Sequence, residues 1–252
     1  MSDRLGLNPS DAKFVALWQN HIDAVKNQPP DRKQCAREVI DAYVICVTHS
    51  DQLPAVSLAR IAEAAGSSYR MVAGAGCESL ARLARTIEPA RDVFRTMSRS
   101  SIVAARFNAV SYLEWALPEL LRREIVTTAL CDRSFRVRIR AIEKAFDFRF
   151  RDILPTLNAM LQTETHPRVI RTLKLHVPLF QDGYLLEETS GGYQLTFSTM
   201  PGSLTGGFLH VRERPDEETI RGRIAEGLAR DMTLPFMRER YDRLLSLGWK
   251  GD

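Results

Sequence analysis

No stretch of this chain approaches the run of about 20 apolar residues that a membrane-spanning helix needs. The longest candidates, AYVICV and LHVPLF, have the length of core segments, and no membrane partner is expected. The N-terminus, MSDRLGLNPSDAKF, has no basic start followed by an apolar stretch, so no secretory signal is expected. Cysteine is scarce. Cys35, Cys46, Cys77 and Cys131 are scattered, with no CxxC, which argues for reduced thiols and a cytoplasmic protein. The five histidines, His21, His49, His166, His176 and His210, share no metal-ligand spacing. There is no GxSxG, no Walker loop and no Cys–His pattern of nucleophilic catalysis. PGSLTGG lacks the Lys-Ser/Thr ending of a phosphate loop and reads as a turn. The expectation leans to a protein that is not an enzyme, with no catalytic residues, no metal and no cofactor.

What is present is an ordinary globular composition over 252 residues, 44% hydrophobic and 26% charged, enough to bury a full core. The net charge of +4 is unevenly spread. Residues 1–81 carry 8 bases and 9 acids and residues 175–252 carry 9 and 12, whereas 82–174 carry 18 bases and 10 acids. The basic middle suits an acidic partner, protein or nucleic acid, without choosing between them. Its densest part is CDRSFRVRIRAIEKAFDFRFR, residues 131–151, where six arginines and a lysine face Asp132, Glu143 and Asp147.

The first 180 residues read as successive helices. Ser10 after Pro9 is placed to N-cap a helix in which Phe14, Leu17, Trp18, Ile22 and Val25 recur at helical spacing. Asp31 is placed to cap a second, and a third runs from about Leu53 to Ala65 and ends at Gly66 as its C′ residue. From about Glu88 the chain repeats: Val103, Val137 and Val169 fall into register at spacings of 34 and 32 residues, the period of an α-solenoid built from helix pairs. After LFQDG the texture changes. YLLEE and YQLTFST flank the turn-rich TSGG, with Tyr193, Leu195 and Phe197 alternating with polar residues, a β-hairpin signal. FLHVR adds a possible third strand within 184–212. Asp216 then caps one of two C-terminal helices. The expected organisation is a mainly α chain with an N-terminal helical region (1–87), repeats (88–180) and a small sheet with two terminal helices (181–252), packed as one continuous unit.

LCDRSFRVRIRA resembles the start of the second helix of a HEAT repeat, with Leu130, Asp132, Val137, Arg138 and Ala141 at the motif's places. The third copy keeps Glu164 and Val169 but has Ile170 where the arginine belongs, and the first keeps only Val103 and its apolar neighbours. The resemblance covers residues 88–180. It implies that Arg138 serves a structural ladder, pairing with an acid such as Asp132 in its own or the adjoining repeat.

On a helical wheel Arg136, Arg140 and Lys144 form a stripe opposite the buried side. Glu143 and Asp147 each lie within one helical turn and neutralise part of it. Arg106, 34 residues before Arg140, and Arg171 are placed on equivalent faces, which in a solenoid line the concave groove. Arginine outnumbers lysine 29 to 6, which suits bidentate contacts to carboxylate or phosphate. The favoured reading is a binding or scaffold module that docks an acidic protein partner through Arg106, Arg136, Arg140, Lys144 and Arg171.

The alternative reading is nucleic-acid binding, which two features support. SLARIAEAAGSSYRMV resembles the helix-turn-helix of TetR- or LacI-type bacterial repressors over residues 57–72, with Ile61, Ala62, Ala65, Gly66 and Val72 at its small and apolar places. Ser67, Gly74 and Gly76 depart from that pattern. Some HEAT-like bacterial proteins excise alkylated bases, and Tyr112, Trp115 and Asp147 are the candidates for such a role.

Overall fold

The computed structural model describes residues 7–49, 52–200 and 203–246. Among these it holds twelve α-helices and one three-stranded antiparallel sheet. None of the helices is long and apolar enough to cross a membrane. Backbone contacts divide the chain into two compact units, Met1–Val137 and Arg138–Asp252. The division falls within the stretch expected to form the repeats.

Unit 1 contains α1 (Pro9–Ala24), α2 (Pro30–Thr48), α3 (Ala55–Ala65), α4 (Arg70–Ala84), α5 (Glu88–Ser98), α6 (Val103–Ser111), α7 (Glu119–Leu130) and the start of α8 (Phe135–Asp147). Helix α1 is capped by Asn8, whose side chain accepts from Asp11 N at 3.0 Å. Pro9 occupies the first turn, where its missing N–H costs nothing, so the expected cap, Ser10, lies inside the helix. Helix α2 has no side-chain cap. Asp31 sits in its first turn instead, where a carboxylate suits the positive helix end. Gly66 ends α3 in a right-handed conformation, φ −76°, so glycine's left-handed freedom is not what this position uses.

Helix α4 is the centre of unit 1, in contact with α2, α3, α5 and α6. Along its length only Arg70 and Glu78 are exposed, and Arg82 is half-buried. Its glycines are explained by close approach. A Cβ at Gly76 would lie 2.4 Å from the backbone N of Ala65, and one at Gly74 would lie 3.1 Å from Trp18 Cη2. Helix α3 therefore crosses α4 almost backbone to backbone, and the Trp18 indole packs at Gly74, about 200° around the same helix. Trp18 Nε1 donates to Glu78 at 2.9 Å. The Glu78 side chain is exposed on one side and desolvated on the side of the indole, and that partial desolvation pushes its carboxyl up, against the opposing pull of the bond.

Unit 2 contains the rest of α8, then α9 (Leu154–Thr163), α10 (Pro167–Gln181), β1 (Tyr184–Thr189), β2 (Gly192–Met200), β3 (Ser203–Leu209), α11 (Glu217–Asp231) and α12 (Pro235–Ser246). The strands pair in the order β1–β2–β3, Tyr184 opposite Phe197 and Tyr193 opposite Leu209. The alternation in β2 turns Leu195 and Phe197 inward against Leu209 and Ile220. Helix α11 lies on this face at Gly227, where a Cβ would meet the Phe197 ring at 2.3 Å. Asp216 caps α11 by accepting from Thr219 N at 2.8 Å, as the sequence implies. Strand β3 starts at Ser203 rather than in FLHVR; Pro201 and Gly202, part of the expected turn, lie outside the described residues.

Helices α4, α6, α8 and α10 begin at residues 70, 103, 135 and 167, intervals of 33, 32 and 32. Each is entered by the same turn. A side-chain oxygen three residues before the helix accepts the N–H two residues on: Ser67 from Tyr69, Ser100 from Ile102, Asp132 from Ser134 and Glu164 from His166. This register corrects the sequence alignment of the first copy by two residues. The counterpart of Val137 is Ala105, buried at 4% exposure, not Val103, which is 41% exposed.

Candidate functional site

The two-residue correction decides where the arginines go. Arg106 is the counterpart of Arg138, not of Arg140. Arg106 Nε and Nη2 donate to the Asp132 carboxylate at 2.5 and 3.1 Å, and its Nη1 donates to the carbonyls of Ser100 and Ser101. Arg138 repeats the contact with Glu164 at 2.8 and 2.9 Å. Each arginine thus takes the acid 26 residues ahead, at the turn before the next second helix. The implied pairing of Arg138 with Asp132 is shifted by one copy. For Asp132 and Glu164, burial raises the carboxyl, but the guanidinium and the turn N–H groups outweigh it, and both stay below the ordinary carboxylate range. With only 6% of its surface exposed, Arg106 is an internal clamp, and its placement on a partner-binding face is corrected on that ground.

Other arginines of unit 1 have partners within the unit. Arg85 pairs with Glu114, Arg91 with Glu88, Arg99 with Glu124 and Arg123 with Glu119. Arg95 is shared among Glu88, Asp92 and Glu124. Arg136 is exposed, its guanidinium 5.9 Å from the Phe135 ring.

In unit 2, Arg140 bonds Glu143 at 2.9 Å and the Lys144 ammonium lies 5.5 Å from the Phe148 ring. Both sit near Asp147, whose carboxyl is pushed up by burial against their pull. His176, on α10, is pushed down by burial, and its Nδ1 lies 2.9 Å from Thr172 O. Arg171 stands apart from this set. It is exposed and, with Lys174, Ile170, Leu175, Leu185 and Glu187, lines a hollow of about 440 Å³ between α10 and β1. Helix α10 carries Arg168, Arg171 and Lys174, all exposed, and no acid. The one acid between residues 153 and 181, Glu164, is held by Arg138.

A larger cleft, of about 1040 Å³, lies in unit 1, lined by α2, α3, the turn into α4, α5 and the start of α6. Sequence reasoning does not find it, because no contiguous motif marks it. Part of its wall is the turn of the helix-turn-helix resemblance. Tyr69 stands there half exposed with the Arg32 guanidinium 3.7 Å from its ring centre. A helix that reads base edges must present a free face to the groove, and α4, enclosed on nearly all sides, has none.

The remaining candidates make structural contacts. Tyr112 closes α6, its hydroxyl against Gly74, and the Arg122 guanidinium lies 4.9 Å from the Trp115 ring. Among the described residues, no group of three or more His, Cys, Asp or Glu is placed to hold a metal ion. Comparison with protein-family models, curated proteins and solved structures gives no significant match.

Proposed function

We propose that this chain is a HEAT-like helical-repeat protein of the cytoplasm that works as a non-enzymatic binding module, and that the face of α10 with Arg171 and Lys174 takes an acidic segment of a partner protein. The repeat reading is supported by the arginine-to-acid clamp that recurs with the same 26-residue reach in each unit. The cytoplasmic reading is supported by four free thiols, two of them buried. The binding reading rests on one observation: α10 carries Arg171 and Lys174, both exposed, and no acid, in a chain whose other arginines are so often matched by carboxylates. Arginine and lysine held on one helix face, with only Glu187 across the hollow, leave a net positive field that an incoming anion can satisfy.

A protein segment suits this face better than a nucleic acid. Ile170, Leu175 and Leu185 border the cations and offer anchors for apolar side chains, which a phosphate backbone lacks. Two cations would also give a salt dependence with a slope of only about −1.8, weak for a duplex binder. The test is affinity capture from lysate and a duplex gel shift on the same preparation, repeated with Arg171→Glu/Lys174→Glu. The reading expects a captured acidic protein that the variant loses, with its helical signal unchanged. Duplex binding tighter than micromolar near physiological salt, or capture indifferent to the variant, would sink it.

A further inference from the structure

The unit 1 cleft has a chemistry of its own, opposite in sign to the α10 face. Its rim holds four carboxylates, Asp31, Glu38, Glu63 and Asp92, against two guanidiniums, Arg32 and Arg60, and Asp92 is held from outside the cleft by Arg95 at 2.6 Å. Arg60 is taken by Glu38 at 2.8 Å and Arg32 lies over Tyr69. Among the described residues no cation pairs with Glu63. It sits in the last turn of α3, which carries no basic residue, at the helix end where a carboxylate is disfavoured. A negative charge kept at that end, exposed and uncompensated, is relieved by a cation from outside.

The cleft also holds apolar side chains where local stability asks for others. Tyr69 and Ile102 are the N-cap residues of α4 and α6, and neither makes a side-chain cap bond. Ser, Thr, Asp or Asn at such positions would stabilise the helix. In the equivalent place before α10, His166 does cap, accepting from Arg168 N. Both non-capping residues line the cleft, 50% and 60% exposed, beside Val72, Val93 and Met97. Two helices therefore give up their caps to set apolar groups on one wall.

We propose that this cleft docks a basic segment of a partner protein, anchored by apolar side chains between Tyr69 and Ile102 and by lysine or arginine at Glu63 and Asp31. Its volume, about 1040 Å³, is at the upper end of small-molecule sites and admits several residues of peptide. Apolar anchors with rim charges are the division of labour seen at specific protein interfaces.

The test uses the full chain carrying Cys131→Ser, so that Cys35, exposed in the cleft, is the accessible thiol beside the buried Cys46 and Cys77. Three peptides serve as probes: (Leu-Lys-Lys-Leu) repeated four times, its Leu/Glu counterpart and its Ser/Lys counterpart. Maleimide modification of Cys35 reports occupancy of the cleft, and anisotropy reports affinity. The Leu/Lys peptide is expected to slow Cys35 modification at least tenfold, and the other two to leave it unchanged. Asp31→Lys/Glu63→Lys, at two exposed sites, is expected to weaken that peptide at least tenfold. Ile102→Ser supplies a second, independent measurement. It restores a cap, so the melting temperature is expected to rise while binding falls, a combination that a purely structural role for Ile102 does not produce. Protection by the Leu/Glu peptide, equal protection by the Ser/Lys peptide, concentration-dependent protection without any peptide, or charge reversal without effect would each overturn the proposal.

Discussion

At the residue scale the glycines separate two effects that a propensity table merges. Glycine inside a helix costs about 0.5–1 kcal/mol relative to alanine, and by that measure Gly76 and Gly222 are equal blemishes. The structure makes them opposites. A Cβ at Gly76 would sit 2.4 Å from the α3 backbone, which cannot turn aside as a flexible side chain does, whereas Gly222 on α11 has nothing within 4 Å. Gly76→Ala is therefore expected to destabilise unit 1 by about 1–3 kcal/mol, and Gly222→Ala to stabilise unit 2 by about 0.5–1 kcal/mol. Urea unfolding followed by circular dichroism of each variant distinguishes the signs. Equal shifts in one direction would show that the α3–α4 crossing is looser than described. Close approach at both positions explains why the Gly74 and Gly76 pattern departs from a repressor motif: Gly76 serves the α3 crossing and Gly74 makes room for the Trp18 indole.

At the scale of elements, the arginine clamp is what joins one helix pair to the next in unit 1. Asp132 is held by Arg106 and Ser134 with both charged side chains 7% exposed. Asp132→Asn leaves a buried guanidinium without its counter-charge and is expected to cost about 3–5 kcal/mol, whereas replacing both partners by leucine is expected to cost far less. The pH dependence has a definite sign. The folded Asp132 carboxyl lies below its unfolded value, so its contribution is complete at neutral pH and fades as pH falls below about 4, through the folded value. Thermal melts between pH 7 and pH 3 of the native chain and the double-leucine variant test this, and only the native chain should lose that increment.

Much of this level was legible from sequence. The interval of 32 to 34 residues, the acid before the helix and the arginine inside it, and the strand alternation at Tyr193, Leu195 and Phe197 all reflect local periodicity, which survives in a single chain. What failed did so for physical reasons. Aligning on Val103 followed hydrophobicity, but at the first copy the buried place belongs to Ala105, because α6 passes close to Gly66, whose Cβ would lie 3.7 Å from that of Ala105. Strand β3 was hidden by Gly206 and Gly207, which read as a turn. The unit 1 cleft was not legible at all, since its walls come from four helices and a turn whose proximity is a tertiary fact.

At the scale of the whole molecule, most acids of the middle third are taken up in clamps and surface pairs, so the cations in excess of them are left to face outward. On α10 two of these, Arg171 and Lys174, border an apolar hollow, which is why the partner reading narrows to that helix. The recurring turn at residues 67, 100, 132 and 164 has a further consequence, for chain length. Residues 103–134 amount to one whole period. Their excision would join Ile102 to Phe135, so that the Ser100 turn leads into α8 instead of α6, and would remove Arg106 and Asp132 together, leaving neither orphaned. The shortened chain is expected to unfold in one cooperative transition on heating. Removing 31 residues instead, 104–134, would rotate every following side chain of that helix by about 100° and put Val137 where a polar residue belongs. A cooperative melt for the first deletion and none for the second would mark 32 residues as the step by which this protein can be lengthened or shortened, a chain measured out in whole paces.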